Sequence, residues 1–484
     1  MTDGPVEAPA PSASRTVLGR GSLYTLATAA PALAAVAVVP AVTRALPVAE
    51  YDLVAVATVV VQVTYILLGL GMGAAITRQH LLDAAGATGS RVLVLQGAAL
   101  AGVLGAVATA TSAWWSPLVL GRPASTELVL ALAASLGGAW MVLAQAYLRG
   151  EDRVRSFVGL AALAGLAGPA LGLVGVLAVE RSANAYLVGL AAGYVTAGLT
   201  GLGLVVASGP ARGRRGGLRA ALRIGLPTVP HQVSLYLALA GLVVIADRLL
   251  GEGGRANVAL TFGAGATVVT AGLNNAWAPL VYRTPPAERG PVLTETTRSV
   301  GLVTVTLSGG LALLAPWVLA VAAPARYATD GLVPALALAA AAAVPSVVYL
   351  ASGHLVFAEG RTHGLAVTTP LAVAGGLAVA AAAASSWGVT ATGAGYLGAY
   401  LLLATGTTAL QRRVAGHAWR PPGMPLVLTL WVLTTVGGVL LPTDGAGVTW
   451  RWGGAVVLVV VAAAGLSGRG PSWGRRRGAA HPAG

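Results

Sequence analysis

The chain has no cysteine, which excludes disulfides and thiol chemistry. It has no lysine either, since all thirty basic residues are arginine. A GxxxxGK[ST] loop for nucleotide phosphates is therefore absent, and any work the protein does must draw on an ion gradient or on consumption of its product. The six histidines are scattered without HExxH-type spacing, so neither a zinc site nor a cofactor is implied. Charge is scarce throughout: 10% of residues are charged, against roughly 25% in soluble domains.

What fills the chain instead is apolar. Hydrophobic residues make up 56% of its 484 positions, and the mean hydropathy is +0.78. A membrane-crossing helix needs about 20 such residues. Fourteen apolar segments can be laid out, from 22–43 to 452–468. The sixty-six glycines, set among Ala, Val and Leu, suit helices packed closely in lipid. The reading is an all-α polytopic membrane protein with about 14 transmembrane helices. Residues 1–17 are Pro/Ala/Ser-rich and are expected to be a disordered tail. The first apolar run, from Ser22, is long enough to be a span, so no cleaved signal is expected.

Arginine alternates between loops. If the amino terminus is cytoplasmic, twenty-three arginines fall inside. Seven remain outside: Arg44, Arg122, Arg181, Arg248, Arg255, Arg326 and Arg451. This split is a positive-inside signal and places both termini in the cytoplasm of a bacterial plasma membrane. The net charge of +14 belongs to that asymmetry rather than to nucleic-acid binding. The basic run 208–223 halves the chain. It reads as an anchor that attracts anionic bilayer lipids, or as a linker between two moving bundles.

The halves repeat. Arg20, Arg44 and Arg78 in the first correspond to Arg223, Arg248 and Arg283 in the second, at intervals of 24 and 34 residues against 25 and 35. Each unit starts with a proline-interrupted helix (Pro31 and Pro40; Pro227 and Pro230). A short charged hinge then leads into a second helix ending "ITRQ" or "VYRT". The units begin six spans apart, so they share an orientation. Parallel repeats of this kind set a pseudo-two-fold axis along the membrane normal.

The stretch "RALPVAEYDLVAVATVVVQVTYILLGLGMGAAITR" resembles the opening of bacterial polysaccharide (O-antigen-type) flippases. "LRIGLPTVPHQVSLYLALAGLVVIADRLLG" and "LNNAWAPLVYR" are similar to that family's seventh and eighth helices. The family belongs to the multidrug/oligosaccharidyl-lipid/polysaccharide (MOP) exporter superfamily. The likeness is clearest over 18–91 and 219–298. It departs from the pattern at Asp52, where the family has glycine, and in the second hinge, which lacks the aromatic.

The resemblance implies two parallel six-helix lobes around a central cavity, plus two C-terminal helices. The corresponding domains are a tail 1–17, a lobe 18–207, the linker 208–223, a lobe 224–415, two helices in 416–468 and a basic tail 469–484. It further implies that helices one, two, seven and eight face the cavity. Arg20, Arg78, Arg223 and Arg283 would then ring its cytoplasmic mouth, where guanidinium can bind phosphate bidentately; otherwise they are snorkelling anchors. Arg44 and Arg248 would be their outer counterparts. Gln62, Asn274 and Asn275 either line the cavity or make interhelical hydrogen bonds. Asp247 is either an interfacial ion pair with Arg248 or an ion-coupling residue. His231 is held by a backbone carbonyl or carries a proton.

The expected function is translocation, by alternating access, of a lipid-linked (polyprenyl-pyrophosphate) oligosaccharide. Expected partners are that substrate, bilayer lipids and a polysaccharide polymerase or other envelope-assembly protein. The first alternative is a drug/cation antiporter of the same superfamily, which would want buried carboxylates. The second is a membrane glycosyltransferase or polymerase, which would want a large outer loop; the sequence has none, and an enzyme is not expected.

Overall fold

A computed structural model describes residues 37–82, 85–211, 217–226, 229–359, 362–415 and 424–467. Arg20 lies outside the described residues, as do the side chains of Asn275 and Arg283. The described chain is almost wholly helical, with no strand among these residues. That is what lipid demands, because a helix satisfies its own backbone hydrogen bonds where no water can. Among the described residues nine helices are long and apolar enough to cross a bilayer, and two bent pairs raise the number to eleven.

In the first lobe, the span α1 (Val48–Gly69) is followed by α2 (Met72–Leu82), the two separated at Leu70 and Gly71, both with positive φ. There follow α3 (Gly86–Ala110), the short α4 (Ser112–Val119) and α5 (Thr126–Gly150). Next comes a span made of α6 (Val154–Ala162), a π-helical turn and α7 (Gly168–Ala178), and then α8 (Ala183–Ala207).

The second lobe repeats this order. An amphipathic α9 (Gly217–Gly225) leads into α10 (Val229–Leu250). The next span, α11 (Gly253–Gly263) and α12 (Gly265–Arg283), bends by 44°. The sequence suggests one span over 299–322. The structure starts that helix earlier, as α13 (Pro286–Leu313), and turns it by 72° into the separate short α14 (Ala315–Ala322). Pro316 in the first turn of α14 suits that restart, because proline lacks an N–H that the position does not need. Then come α15 (Val333–Ala341) with α16 (Ala343–Ala358), α17 (Leu365–Trp387) and α18 (Thr390–Ala415).

Each lobe closes its last two helices through glycine. Gly193 of α8 meets Gly168 of α7, and a methyl on Gly376 of α17 would lie 2.5 Å from the Gly395 carbonyl oxygen of α18. Backbones this close leave no room for a side chain, which is how lipid-embedded helices gain packing.

Two more helices, α19 (Met424–Leu440) and α20 (Ala446–Ser467), pack beside α13. Arg451 fixes them. It is fully buried and donates to the carbonyls of Leu313, Gly438, Leu441 and Pro442 at 2.5–3.2 Å. These oxygens lie at the C-terminal ends of α13 and α19, where helical carbonyls lack intrahelical partners.

The helix α9 belongs to the linker but packs on α2 and α3 of the first lobe. Leu218, Ala221 and Leu222 face that contact, while Arg219 and Arg223 are exposed.

Candidate functional site

The lobes meet along α1, which packs on α10 and α11. The hydrogen bonds described between them gather at one end of the bundle, where both charged hinges lie.

The geometry begins with the start of α1. Pro47 ends the preceding helical stretch and Glu50 falls in the first turn of α1. The Glu50 carboxylate accepts from the Ala183 N–H at 2.6 Å. A carboxylate suits the positive N-terminal end of α8, and the contact braces the hinge within its own lobe.

From this base the hinge arginines reach across. Arg44 donates to the carbonyls of Val321 (2.9 Å) and Ala320 (3.4 Å), at the end of α14 in the opposite lobe. Thr43 donates beside it to Ala322 at 2.9 Å. Arg248 does the same in reverse, donating to Leu118 (3.0 Å) and Val119 (3.3 Å) at the end of α4. In both places a cation meets the unpaired carbonyls and the negative pole of a helix C-terminus. Contacts that repeat with the partners exchanged are the mark of a two-fold relation between the surfaces.

A second pair of arginines crosses in the same manner. Arg326 donates to the carbonyls of Thr43, Arg44 and Leu46 at 2.6–3.0 Å. Arg122 forms a forked pair with Asp247, with Nε to Oδ2 at 2.8 Å and Nη2 to Oδ1 at 2.5 Å. The Asp247 side chain is only 3% exposed and that of Arg122 is 39% exposed. The Asp247 carboxylate, through its hydrogen bond, drives the Arg122 guanidinium still further above its usual range. Loss of Arg122 would leave a buried carboxylate unpaired, a loss that costs about 3–5 kcal/mol when both partners are buried and less here.

Between these pairs the hinges touch directly. Asp52 Oδ1 accepts from the Gly254 N–H at 2.6 Å, in the first turn of α11. A methyl at Gly254 would lie 2.5 Å from that oxygen and 2.9 Å from the Tyr51 ring. Asn257 donates to the Tyr51 hydroxyl at 3.0 Å, and Tyr51 meets Tyr327 edge-on. The departure at Asp52 is therefore a contact between the lobes.

The other predicted residues scatter. Arg78 and Arg223 are both exposed at the opposite end, on α2 and α9, which pack together. Gln62 is half-buried in α1, one turn from Tyr65, whose ring meets Tyr236 of α10 across the lobe boundary. Asn274 sits on α12 with its Oδ1 buried and without a hydrogen-bond partner among the described residues. His231 lies inside the second lobe, its Nδ1 3.0 Å from Thr369 Oγ1 of α17. Asp247 pairs with Arg122 rather than with its neighbour Arg248.

The sequence shows Arg122 and Arg326 as outer-loop arginines but not as residues that bond across the lobe boundary. Their spacing was the missed signal: Arg122 follows Arg44 by 78 residues, and Arg326 follows Arg248 by 78. Each comes just after a short segment containing Trp and Pro, "WWSPLV" or "APWVLA".

No protein-family model and no curated protein matches this chain. Solved structures do. An inward-facing multidrug resistance MATE transporter of the MOP superfamily superposes with a TM-score of 0.59 at 16% identity, covering 83% of this chain and 98% of that one. The outward-facing conformation of such a transporter gives 0.58 at 14%, over 84% and 97%. The fold is that of the MATE transporters. A third structure, a MOP superfamily transporter from Pyrococcus furiosus, gives 0.57 at 17%, over 84% and 97%. It is described as having a binding pocket of reverse polarity that suggests a different function. The resemblance drawn from the sequence thus holds at the level of the superfamily fold, and these structures do not single out its polysaccharide branch.

Proposed function

We propose that the protein is an alternating-access transporter, held here with the hinge end closed. The observation that carries this reading is the reciprocal set of arginine contacts across the lobe boundary. They seal one end with bonds that a rocking motion would break together, and the same fold is known in inward- and outward-facing forms. By the arginine count the sealed end is the outer one. Asp247, proposed as the ion-coupling residue, is neutralised by Arg122 while the end is closed. It meets water, and a proton or cation, only when that end opens.

For cargo, the charge inventory favours an anion such as a lipid-linked pyrophosphate sugar. No Asp or Glu lies in the apolar middle of a described span, so a cationic drug would find no countercharge there. Arg78, Arg223 and Arg283, with Arg20, are proposed to meet the phosphates at the mouth, and Gln62, Asn274 and Asn275 the sugar. The second reading, a drug/cation antiporter, is the one the MATE likeness favours, although one fold hosts many functions.

Proteoliposomes separate the two readings. Leaflet exchange of a fluorescent polyprenyl-pyrophosphate sugar, without efflux of a lipophilic cation dye, supports the anionic cargo. Dye efflux alone assigns the antiporter.

A further inference from the structure

The two-fold exchange of contacts at the hinge end has one departure, and it is charged. Thr43 and Asp247 hold matching positions, each just before a hinge arginine, and Arg122 and Arg326 match 78 residues further on. Among the described residues Arg326 hydrogen-bonds to backbone carbonyls around Thr43 and has no carboxylate partner, its guanidinium lying beside the Tyr327 ring. Arg122 meets the Asp247 carboxylate through a forked pair. One of the two crossings is therefore neutral on its acceptor side, and the other is ionic.

From this we infer that Arg122 and Asp247 form the ionic lock of the gate, with Arg326 and the Thr43 backbone as its neutral twin. The gate therefore responds to ions on one side of the pseudo-axis only. A backbone carbonyl carries no net charge, so salt weakens its hold on a guanidinium less than it weakens an ion pair. A carboxylate pair is stronger when dry, but Arg122 is half-open to water and salt weakens its attraction. Opening the neutral crossing frees one arginine. Opening the ionic one exposes two unpaired charges, Arg122 on the first lobe and Asp247 on the second. The charged groups nearby are Asp52, Glu252 and Arg255, which belong to the hinges, and Arg248, which is engaged with α4. The inference rests on the alternating-access reading.

The test uses the native absence of cysteine. Spin labels are placed on Ala124→Cys with Leu249→Cys, flanking the ionic lock, and on Ala49→Cys with Ala325→Cys, flanking the neutral one; all four positions are exposed. Distances are measured in lipid nanodiscs. In the parent chain, raising salt should lengthen the 124/249 distances and leave the 49/325 distances in place. Asp247→Thr should lower the closed-to-open ratio at 124/249 roughly tenfold, between the effects of exposed and buried pairs, and abolish the salt response. Adding Thr43→Asp to Asp247→Thr should move the salt response to the 49/325 pair.

A salt-insensitive 124/249 distance in the parent chain, or an equal response at both pairs, overturns the lock. That arm needs no substitution at the lock itself. If neither pair separates under any salt, with cargo or with Asp247→Thr, it is alternating access that fails.

Discussion

Arg44 of the first lobe and Arg248 of the second bind the same kind of acceptor, the last carbonyls of a short helix in the opposite lobe. Among the described residues neither arginine has a carboxylate partner. A guanidinium on a helix C-terminus satisfies oxygens that the helix leaves unpaired and is favoured by the dipole. Replacing either residue by glutamine keeps one donor group and loses the charge and the fork. Each single change should raise hinge-end access to a membrane-impermeant thiol reagent, measured at Tyr51→Cys, and the double change should raise it further. Equal labelling of parent and double variant would remove these arginines from the gate.

Gly254 should tolerate no side chain. Alanine there would press on Asp52 and Tyr51, and overpacking of this kind costs about 1–3 kcal/mol. Gly265→Ala is the control, since nothing lies within 4 Å of its added carbon. Thermal unfolding in detergent should fall for Gly254→Ala and stay within a degree or so for the control, given small surface effects. Equal midpoints would show that the hinge contact is loose.

Arg451 predicts a stability effect at the foot of α14, the helix that meets Arg44. It holds four carbonyls in full burial, and Arg451→Met removes every donor at once. Each buried acceptor left unpaired costs about 1–3 kcal/mol. The unfolding temperature should drop well below that of Arg181→Met, an exposed arginine on the same side. A matching pair of midpoints would mean that α19 and α20 are held by apolar packing alone.

Much of the fold was legible. The deficit of charge and the long Ala/Val/Leu runs gave the helices, and the arginine intervals gave the two lobes. The bend at Leu314 was not legible, because α13 and α14 are both apolar and periodicity carries no mark of a 72° turn. The site was legible only in part. The sequence marks Arg44 and Arg248 for binding and Asp247 for ion coupling or a pair with Arg248, yet their partners are backbone oxygens and Arg122, and backbone acceptors have no sequence signature. Asp52 was seen only as a departure, because its partner is the N–H of a glycine 202 residues away.

The proposed phosphate cargo makes a prediction at Arg78 and Arg283. Arg78→Lys and Arg283→Lys keep the charge but lose the planar fork, so export should fall; glutamine should nearly abolish it. Arg212→Gln and Arg214→Gln in the basic linker should matter little, because neighbouring arginines share the topological work. The readout is rescue of polymer export in a strain lacking the gene, with membrane levels matched. Tolerance of glutamine at Arg78 and Arg283 would make them anchors.

Orientation underlies the assignment of the closed end as outer. Reporter fusions after Ser208 and Ser472 should report cytoplasm, and fusions near Ala49 and Thr329 should report outside. A cytoplasmic signal at Ala49 would reverse the assignment and put the seal inside.

The most direct test of alternating access needs no cargo. A single Gln62→Cys places one thiol in α1, between the gate and the arginine-rich end, in a chain with no other cysteine. In right-side-out and inverted vesicles, an impermeant maleimide should reach it from the arginine-rich side only. With Arg44, Arg122 and Arg248 replaced by glutamine, labelling should become possible from the hinge side. Labelling from both sides in the parent chain, or an unchanged pattern in the triple variant, would contradict a hinge-end gate.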